Sequence, residues 1–264
     1  MEDRLTFPNC PRLDVVMTAT LRPELIDLTL RSFFNHLLRQ ANEVRLIINI
    51  DPVGDRRCTA DDILKLCRRY VQNLVHRRPE QPSFSRAVKW GWEQVETEYF
   101  LHLEDDWLLR RPASLAAALA LLARDPDLAS VRFNRAANPD ETPVSSPGFS
   151  LNPSIIRRRF IDEALPFFSC ELDPEKQFCS MEGEKERRLS HWSFACYGLA
   201  NEPAYVIDTG RGWRKFMNLG KWRPDGGHLT WQARQLTRFK FAHYLRYRAL
   251  IWYWKRSLEK SREV

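Results

Sequence analysis

The sequence predicts an α/β fold: a mostly parallel sheet flanked by helices, followed by a basic helical C-terminal extension. Three observations predict it. Apolar runs of strand length alternate with amphipathic stretches of helix length. The first three runs end on hydroxyl or carboxylate residues. The composition, 44% hydrophobic and 28% charged over 264 residues, suits a chain that buries a core rather than a disordered one.

Residues 13–19 read as the first buried strand, closed by polar Thr18 and Thr20. Pro23 then suits a first helical turn, where its missing donor costs nothing. Leu25, Ile26, Leu28, Leu30, Phe33, Phe34 and Leu37 recur at threes and fours along that helix. Residues 44–51 are a second apolar strand ending on Asp51. Residues 61–74 read as a helix with Asp61 as N-cap and Ile63, Leu64, Leu66, Cys67, Tyr70 and Val71 as its apolar face. A further helix opens at Pro82-Ser83 and runs through Ala87, Val88, Trp90, Trp92 and Val95. Residues 98–103 form the third buried strand and lead directly into Glu104, Asp105 and Asp106. An Ala/Leu helix over 113–123 and a strand over 128–133 continue the alternation. Residues 134–153, rich in Asn, Pro, Ser and Gly, read as a loop or lid. Residues 154–165 read as helical and 173–188 as a charged segment.

In sheets of this kind ligands bind at the carboxyl ends of the strands. Thr18, Thr20, Asp51 and the Glu104-Asp105-Asp106 cluster all stand there. Three adjacent carboxylates repel one another unless a cation joins them, and a hard ion such as Mg²⁺ or Mn²⁺ takes carboxylate oxygens together with substrate phosphates. The competing reading is that Asp105 and Asp106 cap a helix starting at Trp107. His102, inside the third strand, reads as a core residue. No G-x-G-x-x-G follows the first strand, and neither a Walker loop nor a G-x-S-x-G elbow is found.

Residues 14–24 with Thr29-Leu30-Arg31-Ser32, residues 84–91 (Phe-Ser-Arg-Ala-Val-Lys-Trp-Gly) and residues 100–107 (Phe-Leu-His-Leu-Glu-Asp-Asp-Trp), in this order, resemble a GT-A fold glycosyltransferase of family-2 type. The acidic motif is similar to the Glu-Asp-Asp form of N-acetylglucosaminyltransferase I-like enzymes, and residues 122–128 also resemble that group. The resemblance is good over 13–135 and loose over 136–225. It implies a GT-A unit over 1–225, with a nucleotide-sugar half over about 10–135 and an acceptor half over about 136–225, before an extension over 226–264.

The resemblance implies transfer of a sugar from a nucleoside-diphosphate donor to an acceptor hydroxyl, with inversion and with Mn²⁺ or Mg²⁺ as cofactor. Asp106 would ligate the metal, and Glu104 and Asp105 would hold donor hydroxyls. Thr18, Thr20, Arg22 and Asp51 would line the nucleotide pocket, and Ser85, Arg86 and Lys89 would face the diphosphate or donor sugar. The general base falls on Glu175, with Asp173 and Glu182 as rivals. A third metal ligand falls on Asp208, with His228 as a second choice. For Asp51 the plain alternative is a strand-end turn; for Arg86, Lys89 and the Asp173–Glu182 stretch it is a solvated charged face.

The net charge of +7 is uneven: from Ala204 onward 14 Lys and Arg face 4 Asp and Glu, a net of +10. Arg211, Arg214, Lys215, Lys221 and Arg223 are interleaved with Trp213, Phe216 and Trp222. Phe239, Phe241, Tyr244, Leu245, Arg248, Ile251, Trp252 and Lys255 suggest an amphipathic helix. Such a tail fits an anionic membrane surface, a nucleic acid, closure of early arginines over a diphosphate, or simple packing on the body. The acceptor is accordingly read as a glycan, a lipid-linked glycan or hydroxymethylated DNA. The competing class is a catalytically inactive transferase-like protein that binds nucleic acid or membrane through the tail. With no apolar run near the roughly 18 residues of a membrane span and no signal peptide in view, the expected location is cytoplasmic, peripheral to the inner membrane surface where the tail engages it. The six cysteines fit no zinc spacing and read as reduced structural thiols.

Overall fold

A computed structural model describes residues 12–136, 148–179, 181–198, 202–217, 219–222, 230–233 and 240–260. Cys10, Arg223, His228, Phe239 and most of the predicted loop over 134–153 lie outside them, and the side chains of Phe216, Lys221 and Trp222 are likewise not described.

The sheet is built around β1 (Leu13–Leu21), whose alternating side chains are buried on both faces. It pairs in parallel with β2 (Val44–Gly54) on one side. Between them runs α1 (Pro23–His36), with Pro23 in its first turn as expected. α2 (Ala60–Cys67) is shorter than the sequence suggests: its N-cap is Thr59 rather than Asp61, in a reciprocal capping box with Asp62. The chain leaves it through tight turns, Arg69 N to Leu66 O and Tyr70 N to Cys67 O. It then forms an unforeseen edge strand, β3 (Asn73–Arg77), parallel to β2. That strand is only half-buried, so it carries no apolar run for periodicity to detect. α3 (Phe84–Glu93) is capped by Ser83 and lies so close to β1 that a Cβ at Gly91 would fall 2.5 Å from Val16 Cγ1.

β4 (Tyr99–Glu104) pairs in parallel with the other side of β1 and delivers the acidic motif. Immediately beyond it comes a strand, β5 (Trp107–Leu109), rather than a helix. α4 (Leu115–Arg124), β6 (Leu128–Phe133) and the short β7 (Arg135–Ala136) follow. Of residues 154–165, expected to be helical, the first four are β8 (Ser154–Arg157), wedged antiparallel between β4 and β6; only then does α5 (Arg158–Ala164) begin. The apolar Ile155-Ile156 pair suits either state by pattern, and the gap between two strands decides it. α6 (Gly183–Leu189) and β9 (Ser193–Tyr197) complete a seven-stranded sheet ordered β3-β2-β1-β4-β8-β6-β9.

Helices cover both faces. Val15, Met17, Leu46, Ile48, Leu101 and Leu103 pack under α1, α2 and α4, while Val16, Ile47, Phe100 and Ile156 pack under α3, α5 and α6. A second small sheet, β5-β10-β7, forms where β10 (Val206–Asp208) returns beside Trp107. From it springs α7 (Gly210–Met217), followed by the hairpin β11 (Leu219–Trp222) and β12 (Thr230–Ala233), and then α8 (Lys240–Lys260). α8 packs on the body through Tyr247, Ile251, Trp254 and Leu258, against Leu25 and Leu28 of α1 and Trp213 of α7. Of the apolar residues expected to define its face only Ile251 is in that stripe; Phe241, Leu245 and Trp252 point outward, 72%, 52% and 61% exposed. Two apolar faces on one helix obscure any single stripe in the sequence. The five cysteines among the described residues are free thiols.

Candidate functional site

The acidic motif is held by β1 and α1. Asp105 N donates to Thr18 O at 3.1 Å, and Thr29 Oγ1 to Asp105 O at 2.9 Å. The Asp105 carboxylate accepts Thr20 N (2.9 Å), Thr20 Oγ1 (3.2 Å) and Arg22 Nε (3.2 Å) on Oδ2, and Arg22 Nη2 on Oδ1. Arg22 reaches further, with Nη1 3.0 Å from Asp106 Oδ2. Its guanidinium is buried under the Trp213 ring, 5.3 Å from the centroid. Burial works against the Arg22 charge, but the Asp105 and Asp106 carboxylates outweigh it and hold its pKa above the usual value.

α7 closes this group from the other side. Asp208 caps it, Oδ1 accepting Gly210 N at 2.8 Å and Arg211 N at 3.2 Å. Thr209 N and Oγ1 both donate to Asp106 O. Arg214 places its guanidinium 3.8 Å from Asp106 and 3.6 Å from Asp208. A Cβ at Gly210 would fall 1.9 Å from Asp106 Oδ2, so only glycine lets the helix start this close. The fold thus brings Thr18, Thr20, Arg22, Asp105, Asp106 and Asp208 into one cluster.

Asp51 belongs to a second group, at the ends of β2 and β3. Its carboxylate accepts Asn49 Nδ2 at 2.7 Å and Ser83 N at 3.1 Å. Burial pushes its pKa up, against those hydrogen bonds and the charge of Arg77. A cavity of about 280 Å³ is walled by Asn49, Asp51, Arg77, Ser83 and Arg86. Asn49 Oδ1 is buried with no hydrogen-bond partner, an unmet acceptor beside that cavity. Of the residues predicted on α3, Arg86 lines the cavity, Lys89 is half-buried outside its lining, and Ser85 is turned away, its Oγ donating to Leu172 O at 2.6 Å.

Glu175 lies in a third group. Its Oε2 accepts Leu151 N at 3.1 Å and Ser150 Oγ at 3.4 Å. Phe178, one turn on, packs edge-on against Phe149 and tilted against Trp92, fixing this segment beside α3. Asp173 instead accepts the backbone N–H groups of Glu175 and Lys176. Glu182 precedes α6 as its N-cap residue. His102 is fully buried in β4, both ring nitrogens unpartnered, and burial depresses its pKa to about 3, as a core residue requires.

No family model and no curated protein matches this chain. Its shape does match solved structures. One is the mannosyltransferase PcManGT from Pyrobaculum calidifontis in complex with GDP-Man and Mn²⁺: TM-score 0.52, 12% identity, covering 78% of this chain and 61% of that one. Another is TarS of S. aureus: TM-score 0.51, 10% identity, 78% and 40%. The fold is that of the GT-A glycosyltransferases. The chain spans less than two thirds of the length of either structure. No helix among the described residues is long and apolar enough to cross a membrane.

The metal expected at Asp106 and Asp208 can be tested against what those carboxylates do. A divalent cation needs carboxylate oxygens with free lone pairs. Asp105 already has four donors on its two oxygens, about its full capacity. Asp106 faces two guanidinium groups and Asp208 caps a helix. Among the described residues no group of three or more His, Cys, Asp or Glu is arranged to hold an ion. As folded, arginine side chains hold both Asp105 oxygens, Asp106 Oδ2 and Asp208 Oδ2, an arrangement that does not fit a divalent cation.

Sequence reasoning missed three participants: Asn49, Gly210 and the pairing of Arg214 with Asp106. Asn49 lies two residues before Asp51, so its side chain projects on the same side of β2. That register was a usable signal. Gly210 and Arg214 follow Asp208, which the resemblance brings beside Asp106 as a third ligand, but nothing local says that an arginine and a glycine of this segment meet Asp106.

Proposed function

We propose that this chain transfers a glycosyl group from a nucleoside-diphosphate sugar to an acceptor hydroxyl. What carries the reading is the placement, on a GT-A sheet, of the cavity walled by Asn49 and Asp51 two strands from the acidic motif, at the carboxyl ends of β2 and β4. The Asp51 carboxylate offers an acceptor to a nucleobase N–H, and Arg77 and Arg86 on the same wall suit ribose and phosphate oxygens. The sugar's anomeric carbon then exchanges its bond to the diphosphate oxygen for one to the acceptor oxygen. Glu175, with Oε2 fixed by Leu151 N, takes the acceptor proton, and attack opposite the leaving group gives inversion. UDP- and GDP-sugars are expected to raise the melting temperature of the wild type, and Asp51→Ala to remove that shift. If no nucleotide or nucleotide sugar stabilises the protein, the transferase reading fails. Glu175→Gln should keep donor binding and lose transfer by about 10²-fold or more; wild-type rates would move the base to Asp173 or Glu182.

For the acceptor, the outward face of α8 supports presentation at an anionic lipid surface. Phe241, Leu245, Trp252 and Tyr253 are exposed there, beside exposed Arg246, Arg248 and Arg256. Trp252→Ser should release the protein from phosphatidylglycerol vesicles. Binding to duplex DNA but not to vesicles would assign the face to a nucleic-acid acceptor instead.

A further inference from the structure

We infer that Arg22 and Arg214 take the place of a divalent cation at the acidic motif, so that the donor's diphosphate is received beside guanidinium groups and without a metal. This rests on the transferase reading and specifies the chemistry of its donor site.

The arrangement is built in rather than incidental. Arg22 is 5% exposed and is locked on three sides, by Asp105, by Asp106 and by the Trp213 ring. A surface arginine falling onto a vacant acidic site would be neither buried nor stacked. Arg214 comes from a separate element, and Gly210 is what allows that element to reach Asp106. Three carboxylates, Asp105, Asp106 and Asp208, meet three guanidinium groups, since Arg211 Nε also lies 3.2 Å from Asp208. Within this group three guanidinium groups already offset the charge of Asp105, Asp106 and Asp208, and a dication binding Asp106 Oδ2 or Asp105 would have to displace Arg22.

A metal at a GT-A acidic motif offsets the motif's charge and neutralises a leaving diphosphate. Guanidinium groups serve both purposes. Three of the five Arg22 N–H groups are engaged by Asp105 and Asp106, which leaves two for phosphate oxygens. Arg214 meets its two carboxylates only at 3.6 and 3.8 Å, loose enough to turn toward a diphosphate. A planar guanidinium is well suited to paired phosphate oxygens.

The test combines donor binding with metal binding. Thermal shifts by UDP- and GDP-sugars are measured on the full chain in EDTA and in Mn²⁺, and Mn²⁺ uptake by the protein alone is followed from the free-ion EPR signal. Equal shifts in EDTA and Mn²⁺, and an undiminished Mn²⁺ signal with wild type, are expected. Arg22→Gln should weaken donor binding in EDTA about tenfold or more and should begin to take up Mn²⁺, which a merely structural loss would not produce. Arg214→Gln, at a more exposed position, gives the same readout if the first variant does not fold. Stabilisation by a donor only when Mn²⁺ is present would overturn the inference and leave the transferase reading standing. No stabilisation by any donor would sink that reading and with it the diphosphate role; the EPR signal then tests the exclusion of a cation alone, uptake by wild type overturning it and uptake confined to the arginine variants supporting it.

Discussion

β1 carries a buried arginine–carboxylate cluster at each end, and the two differ in what their partners are attached to. At the amino end Arg45 forks across Asp14, Nε to Oδ1 at 2.8 Å and Nη2 to Oδ2 at 2.6 Å, while Asp14 Oδ2 also accepts Glu96 N and Thr97 N. Those hydrogen bonds pull the Asp14 pKa down despite its burial. Every partner belongs to β1, β2 or the turn leading into β4, or is Arg12 immediately before β1, and none of these residues borders a described cavity. At the carboxyl end Arg22 forks across Asp105 and Asp106, but the second carboxylate is shared with Arg214 from α7, near the far end of the chain. The same pairing chemistry acts as a fixed tie when all its parts are adjacent strands. Where one part arrives on a late, separately anchored helix, the same pairing is the arrangement that the proposed donor site would open.

The comparison is broken most severely at the amino end. Asp14→Ala leaves Arg45 buried with only Glu96 and the Gln94 carbonyl, and should destabilise the fold by about 3–5 kcal/mol in urea titration. Folded molecules should still bind donor normally. If instead donor binding falls while stability holds, the roles of the two ends are reversed.

His102 lies between the ends, opposite Val16 in register. Its pKa is lowered to about 3 from 6.5, so the unfolded chain takes up a proton that the folded chain refuses. Its contribution is present above pH 6.5 and is lost progressively as pH falls toward 3, about 2 kcal/mol by pH 5. His102→Leu should flatten that part of the stability–pH curve. Asp14, with a lowered pKa, loses its contribution only at lower pH, below the ordinary aspartate value of 3.8. An unchanged slope in His102→Leu would assign the acid sensitivity elsewhere.

At the carboxyl end, Gly210→Ala should push α7 off Asp106, cost about 1–3 kcal/mol and reduce donor binding more than stability. A variant that binds donor as wild type would show that α7 is not part of the donor site. The smallest effect is expected far from both clusters. Ser114→Ala removes the Oγ that accepts Ala117 N at the start of α4, for about 1 kcal/mol with no change in donor binding.

Much of this fold was legible in local pattern, and what was not has a physical reason in each case. β1, β2 and β4 are buried on both faces and so read as apolar runs, and α1, α3 and α4 show helical periods. β3, half-buried at the sheet edge, and β8, whose four residues carry too short a pattern, could not be separated from helix. At the site, Asp51 and Glu104–Asp106 were readable because strand ends attract ligands. Whether those oxygens hold a metal or arginines was not, because that is a matter of neighbours in space. The amino-end pair had a faint signal: Asp14 and Arg45 are each the second residue of an otherwise apolar strand, and they are register partners.

By itself the sequence determined the central α/β alternation, though not β3, β5 or β8, and which residues stand at the carboxyl ends of β1, β2 and β4, because burial imposes periods of two and 3.6 on neighbouring residues. Only the tertiary structure decided what those carboxylates hold. Arg22 and Asp106 are 84 positions apart, and Arg214 joins them from α7. No local period encodes such a pairing: it exists only once α7 has docked on β5 and β10, with glycine at position 210 to let it approach.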